Sequence, residues 1–338
     1  MVEIHGAQSS DDLEKKMGFE RLSAEAAYAQ TMGNRASKWP DRASGRVEPL
    51  CLPAIHPGFS IPRDASIFTI GSCFARHIEF ALAEQGLSVP TLGFRVPQEE
   101  LWAGTGLRTG LLNKYTPFSM LNEIDFILDG TDGSQFLIET GEDQWWDGQL
   151  HTTESVSFAR GIKRRQKIRE LYDSAIRQSA IVIITLGLVE AWWDEDKQLY
   201  LNETVPRALA QRHPGRFFFE VLSVEKTLLA VRQLIERLRR VNPTHNVLLT
   251  VSPVPFVRSF DGKDAIVANG YSKAALRVAA EVAARDYSWV DYYPSYESVT
   301  SSDRSTAWDD DLVHVRPDMV KANVERMVEA YLEPEEST

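Results

Sequence analysis

Cysteine is nearly missing from this chain: Cys51 and Cys73 are the only two in 338 residues. A disulfide scaffold of this size needs more. No C-x-x-C occurs, and the seven histidines are scattered rather than clustered with cysteine at zinc-ligand spacing, so no metal is expected. No apolar run approaches the ~20 residues of a membrane span. The opening MVEIHGAQSSDDLEKK is acidic and lacks the apolar segment of a signal peptide, which makes the cytoplasm the expected location. Basic excess is missing too. With 37 Lys and Arg against 48 Asp and Glu, the formal net charge is -11, which argues against a nucleic-acid partner. The charges are interspersed rather than blocked, as on a solvated surface. There is no nucleotide loop or dinucleotide fingerprint, so no cofactor is expected, and no internal repeat.

What is present is a large core. Hydrophobic residues make up 43% of the chain and aromatics 10%, ample for an α/β domain, which often exceeds ~250 residues as one unit. Residues 1–60 read as an arm, with a helix from Asp11 to Met32 and then a Pro-rich extended stretch from Trp39 to Pro62. The domain itself reads as 61–332, and 333–338 as a frayed tail. SIFTI at 66–70 is short, apolar and β-branched, the signature of a buried strand. Gly71-Ser72 follows, then a helix with Phe74, Ile78, Ala81 and Leu82 on one face and Gly86 at its end. Further buried strands are expected at 180–187, 246–255 and 288–294. Helices are expected after Ser223 (face Leu228, Val231, Ile235, Leu238; stop at Asn242-Pro243), at 271–285, and from Pro317 with Val320, Val324, Met327, Val328 and Tyr331. The stretch 95–178, rich in Trp, Gly and Asn, suggests an irregular insertion. Apolar strands alternating with helices imply a mostly parallel sheet covered on both faces. Ligands of such sheets bind at the C-terminal strand ends, here Ser72, Gly187, Ser252 and the Tyr292–Tyr296 region.

Ser72 has two readings. At a strand-to-helix turn its hydroxyl and backbone N–H face the free amides and positive dipole of the helix start, where an oxyanion would be stabilised. Equally, serine is a preferred N-cap and needs no other role. Asp311 and His314 stand in WDDDLVHVRPD, just before the last helix. An imidazole can take a serine proton, and a carboxylate three residues earlier can fold back to orient it. Asp309 and Asp310 compete for that role, and an acidic loop with a surface histidine is the alternative. Cys73 is a rival nucleophile at the same helix start, but adjacent side chains on a tight turn diverge, and a small packing residue is the other reading. Glu190 suits either a substrate hydroxyl or a structural hydrogen bond. Trp145, Trp146, Trp192 and Trp193 suit sugar stacking or core packing.

The string Gly71-Ser72-Cys73-Phe74-Ala75 resembles the GSCFA family, which is similar to SGNH/GDSL-type hydrolases. Gly110-Leu-Leu-Asn113-Lys-Tyr115, Thr185-Leu-Gly187-Leu-Val-Glu190-Ala-Trp192, Thr250-Val-Ser252-Pro253-Val-Pro255 and Tyr293-Pro294-Ser-Tyr296-Glu297 extend the resemblance, in order, over about 60–330. It implies a flavodoxin-like three-layer α/β sandwich and a triad of Ser72, Asp311 and His314. It also implies an oxyanion hole from the Ser72 backbone N–H, a second backbone N–H and often an asparagine. Ile70-Gly71-Ser72 takes the place of the GDS block, and Gly187-Leu-Val-Glu190 that of G-x-N-D, so the asparagine is missing there. A carboxylate donates only when protonated, which makes Asn113 the candidate replacement. Val315 stands where the pattern often has proline. The function implied is a serine-dependent ester hydrolase or O-acyltransferase working through an acyl-enzyme, with a small acyl group such as acetyl on a carbohydrate or similar polar acceptor. Gly71, Asn113, Gly187, Glu190 and Trp192 would form the oxyanion and substrate contacts. The competing classes are a glycan- or acyl-binding module without turnover and an assembly scaffold; oligomeric state is not readable from the sequence.

Overall fold

The computed structural model describes residues 21–102 and 108–333. In chain order the regular elements begin with α1 (Ala24–Thr31), β1 (Ser66–Gly71) and α2 (Cys73–Glu84). Next come α3 (Pro117–Asp129), β2 (Leu137–Gly141), β3 (Gln144–Asp147), α4 (Phe158–Gln178) and β4 (Ser179–Leu186). Then follow β5 (Glu190–Asp194), β6 (Leu199–Leu201), α5 (Arg207–Arg212), β7 (Phe217–Val221), α6 (Val224–Val241) and β8 (Asn246–Val251). The chain closes with α7 (Ala265–Asp286), β9 (Val290–Tyr292), α8 (Ser295–Ser301), α9 (Arg304–Ala307) and α10 (Pro317–Tyr331).

Four parallel strands in the order β1-β4-β8-β9 form the central sheet. Alternation along each strand splits the core in two. Phe68, Ile70, Val182, Ile184, Val247 and Leu249 point to the face covered by α3, α4, α6 and α7. Ile67, Ile181, Ile183 and Leu248 point to the face covered by α2 and α10. A strand buried on both faces has no polar side to show, which is why these segments read as unbroken apolar runs. The result is an α/β three-layer sandwich of flavodoxin-like type, as the sequence implies.

Several boundaries differ from the sequence expectation for local reasons. β8 stops at Val251 because Pro253 and Pro255 have no N–H for the ladder, and β9 is three residues long, ending before Pro294. α7 begins at Ala265, six residues before position 271, where Asp264 caps it by accepting from Ile266 N–H at 2.8 Å. Of the helix expected over Asp11–Met32, only Ala24–Thr31 is helical where the chain is described: residues 21–23 are not, because Ser23 caps α1 there; residues 11–20 lie outside the described residues, as do 334–338 of the tail. Leu50, Ile55, Phe59 and Ile61 pack into the core on the α2/α10 side. Cys51 pairs with Ser302 and Ser298 through its backbone, and Gly58 N–H donates to Asp291 at 2.7 Å.

The stretch 95–178 is more regular than its composition suggests. It holds α3, the β2–β3 hairpin and the 21-residue α4. The periodicity of α4 is obscured because its buried face carries Arg164 and Arg165 among the apolar residues. Arg165 bonds Asp147 through two nitrogens at 2.6 and 2.5 Å and Glu123 at 2.8 and 3.0 Å, and Glu123 also takes Lys114 Nζ at 2.5 Å. All four side chains are sealed from solvent. Burial alone would raise the Glu123 and Asp147 carboxyls. The Arg165 charge, with Lys114 beside Glu123, outweighs it and holds both below the usual range. A second sheet, β6-β5-β7, antiparallel and unanticipated from sequence, fills 190–221.

Candidate active site

Gly71 ends β1 in direct contact with β4. A Cβ there would lie 2.5 Å from the Thr185 carbonyl oxygen and 2.6 Å from Thr185 Cβ, so only glycine lets the two strands close at this point. Lys114 N–H donates to Gly71 O at 2.7 Å, laying the 110–115 segment beside the turn. Ser72 follows in extended conformation at the N-cap of α2.

Its hydroxyl is what separates the two readings of Ser72. Ser23, Thr116, Ser157 and Ser223 all cap their helices by accepting a backbone N–H. Ser72 makes no such bond, is only 3% exposed, and its Oγ has no hydrogen-bond partner among the described residues. An unpaired buried hydroxyl is costly, and this one borders a cleft of about 570 Å³. The cleft opens at the C-terminal ends of β1, β4 and β8, lined there by Ser72, Gly187 and Ser252; the end of β9 does not reach it. Tyr292 and Glu297 instead join Arg277, whose Nε donates to Glu297 at 2.6 Å and whose guanidinium lies 3.8 Å over the Tyr292 ring.

His314 lines the same cleft. Its Nδ1 is 2.5 Å from Asp311 Oδ2, and Asp311 Oδ1 accepts from Val313 and His314 N–H at 2.9 Å each. The short loop thus folds back on itself. The His314 ring and these amides pull the Asp311 carboxyl down to about 2. With Nδ1 engaged, Nε2 is the ring nitrogen that Asp311 leaves unoccupied. Asp309 meets His314 only through its backbone N–H, at 2.9 Å to the His314 carbonyl. No hydrogen bond joins Ser72 Oγ to His314. His77, one turn along α2, lies close enough for His314 to act on it, and burial first and that neighbour second lower its pKa. Cys73 also lines the cleft, and burial raises its thiol in spite of Lys273, which disfavours the thiolate a nucleophilic cysteine needs.

The profile of the GSCFA family matches residues 66–327. The chain belongs to the GSCFA family. No curated protein matches it. The GSCFA string therefore spans the end of the first core strand, the turn and the start of α2, and the other resembling segments fall around the same cleft or in the scaffold behind it.

Gly187 is the tightest of these. A Cβ on it would sit 2.7 Å from Tyr115 O and 3.3 Å from Ser72 Cβ. Leu186 O accepts from Ser252 N–H at 2.8 Å on the β8 side. In a trans peptide the following N–H points the other way, so Gly187 N–H turns toward Ser72, and it has no partner among the described residues. Ser72 N–H, by contrast, is engaged with Thr185 O at 3.3 Å, continuing the β1–β4 ladder.

Asn113 is buried but does not line the cleft. Its Nδ2 donates to Tyr115 Oη at 3.4 Å, so it stands behind Tyr115, which does line it. Burial, with Glu203 and Cys73 adding to it, pushes the Tyr115 phenol well up, keeping it a neutral donor. Glu190 lines the cleft with both oxygens occupied: Oε1 by Ser259 Oγ and Oε2 by Phe260 N–H at 3.0 Å. It braces the loop that follows β8. Trp192 lies in the cleft wall against Phe260 at 5.3 Å. Trp193, Trp145 and Trp146 point elsewhere, the first two against Tyr200 and Phe158 and the third into a satellite core.

Sequence reasoning missed Lys273, on α7 behind the turn. Its Nζ donates to Gly187 O and Val254 O at 2.7 Å each, tying the loops after β4 and β8 together. Burial lowers this ammonium to about 7, against the pull of Cys73. The signal was a lysine inside the Ala-rich buried face of the helix. It also missed His151 and Glu203, which share the cleft. Among the described residues no cluster of His, Cys, Asp and Glu has metal-holding geometry, and no helix is long and apolar enough to cross a membrane.

Proposed function

We propose that this GSCFA protein is a serine-dependent ester hydrolase or O-acyltransferase. The observation that carries the reading is the Ser72 hydroxyl: it occupies a helix N-cap without capping, unpaired, in the cleft that His314 also lines with Asp311 behind it. His314 Nε2 takes the Ser72 proton as Oγ attacks the ester carbonyl. The tetrahedral oxyanion draws on Gly187 N–H, on the Tyr115 hydroxyl that Asn113 supports, and on the positive end of α2. Collapse expels the alcohol, which leaves with the proton held on His314, and the acyl group stays on Ser72. Water or an acceptor hydroxyl then repeats the sequence in reverse. The cleft sets aromatic and aliphatic side chains such as Trp192, Phe260 and Leu188 beside polar ones such as His151 and Glu203, which suits a small acyl group on a polyhydroxylated carrier.

Intact-mass analysis after exposure to a fluorophosphonate and to short-chain p-nitrophenyl esters tests this. One adduct is expected on the wild type and on Cys73→Ala, and none on Ser72→Ala. An adduct that persists in Ser72→Ala protein would remove Ser72 from the mechanism. No adduct on folded wild type would favour a binding role for the cleft.

A further inference from the structure

The wall of the cleft around Tyr115 carries a second histidine–carboxylate pair. His151 Nδ1 is 2.7 Å from Glu203 Oε1, with side chains 27% and 12% exposed. The His151 ring also stands edge-on to Tyr115, centroids 5.1 Å apart and planes at 82°. Both residues line the same cleft as Ser72 and His314. Their loops do not need this side-chain contact to hold together. Gly148 O already accepts from Asn202 N–H at 2.9 Å and Glu203 N–H at 3.3 Å, and His151 N–H reaches Leu111 O at 3.1 Å. Asn202 spends its amide on the backbone of Asn113 and Tyr115 at 2.9 Å each. That leaves the His151 and Glu203 side chains free of scaffold duty in this wall, beside Thr204.

We infer that His151 and Glu203 form the subsite for the alcohol part of the substrate, a neutral sugar presenting two adjacent hydroxyls. With Nδ1–H donated to Glu203, Nε2 of the neutral His151 ring is a hydrogen-bond acceptor, and the second Glu203 oxygen, which has no partner among the described residues, is another. Two neighbouring acceptors match two neighbouring O–H donors. A carboxylate at this spot repels phosphate or carboxylate on the ligand. Trp192 lines the same cleft, with Phe260 edge-on to it at an interplanar angle of 79°, and offers an aromatic ring to the C–H face of a pyranose. The pair positions the sugar; it takes no proton in the reaction. When the acyl-enzyme is resolved by transfer, the attacking hydroxyl gives its proton to His314, which passes it to Ser72 Oγ as the acyl C–O bond to serine breaks.

This subsite rests on the ester-chemistry reading, and the test separates the two. Binding of uncharged methyl hexopyranosides to Ser72→Ala protein is measured by ligand-observed NMR titration, with His151→Ala or isosteric Glu203→Gln added in turn, each checked for an unchanged fold by thermal melt. The expected result is binding of at least one glycoside that weakens at least ten-fold in both double variants. No glycoside binding to Ser72→Ala protein, or equal binding in either folded double variant, overturns the subsite even if wild-type Ser72 takes a fluorophosphonate. Binding that depends on the pair, with no adduct on wild type, upholds the subsite and overturns the ester chemistry instead.

Discussion

At the scale of single residues, the cleft is defined by groups whose ordinary structural role is left undone or already taken. Ser72 sits at a cap and does not cap. Glu190 looks like a free acid in sequence, yet both of its oxygens are spent on the 259–260 loop. Asp311 is set apart from Asp309 and Asp310 by one bond, the 2.5 Å contact to His314 Nδ1. Held near 2, it is ionised throughout the working range of an enzyme. Asp311→Asn is therefore expected to lower ester turnover by roughly 10²-fold or more, whereas Asp310→Ala, which alters no side-chain bond to His314, stays within about two-fold of wild type; steady-state kinetics on a p-nitrophenyl ester decides. Equal losses would break the Asp311–His314 assignment. Gly187→Ala tests the turn differently. Its new methyl meets a backbone carbonyl at 2.7 Å and the Ser72 Cβ at 3.3 Å. Relief must come from the Tyr115 backbone, which carries the proposed oxyanion donor, or from Ser72 itself, so adduct formation should slow by about 10-fold or more and the melting temperature should fall.

At the scale of elements, the helices carry two kinds of ion pair with very different weights. Arg165 on α4 holds two fully buried carboxylates. Removing its charge strands Glu123 and Asp147, so Arg165→Met is expected to cost on the order of 3–5 kcal/mol. Arg285 on α7 pairs with Glu281 at 2.7 Å on the surface, 64% and 37% exposed, and Arg285→Ala should cost less than about 0.5 kcal/mol. Urea denaturation of the two variants measures both. A small Arg165→Met cost would mean that the network relaxes or takes up protons. The network also has a positional consequence. It anchors Lys114, whose own backbone N–H holds Gly71 O, so α3, α4 and the β2–β3 hairpin brace the turn that presents Ser72.

At the scale of the whole molecule, acid stability should depend on a group far from the cleft. His245, just before β8, is fully buried, and neither ring nitrogen has a partner among the described residues. Burial, with the charge of Arg239, pushes its pKa down to about 4. An unfolded histidine titrates near ~6.5. Between those values the unfolded chain carries the extra proton. The contribution is intact above pH ~6.5 and is lost progressively as pH falls to about 4, by on the order of 3 kcal/mol. In His245→Phe protein the urea midpoint should change less between pH 7.5 and 4.5 than in wild type. An identical acid dependence in the two proteins would place the titration elsewhere.

The sequence by itself determined the α/β class and where its four core strands lie along the chain, because a strand buried on both faces must be apolar throughout and a βα turn must have glycine where strands touch; the β1-β4-β8-β9 order of those strands came from the structure. Strand ends and helix starts marked Ser72, Asp311 and His314 as candidates beside their rivals Cys73, Asp309 and Asp310, and the resemblance to the family chose among them. The sequence named Gly187, Glu190 and Trp192 in the cleft but left the wall around Tyr115 unread. His151, Glu203 and Tyr115 come from separate loops and carry no periodic signal. Arg165 and Lys273 break the apolar pattern of the faces that bury them. The β5–β7 sheet was likewise invisible, since three short strands around Trp192 and Trp193 gain their burial from distant partners, Ala191 and Tyr200 in the main core and Leu201 beside Ile138 and Trp146. Whether a polar side chain is a surface group, a brace or a ligand contact depends on what the fold brings to within hydrogen-bond distance of it, and only the tertiary structure decided that.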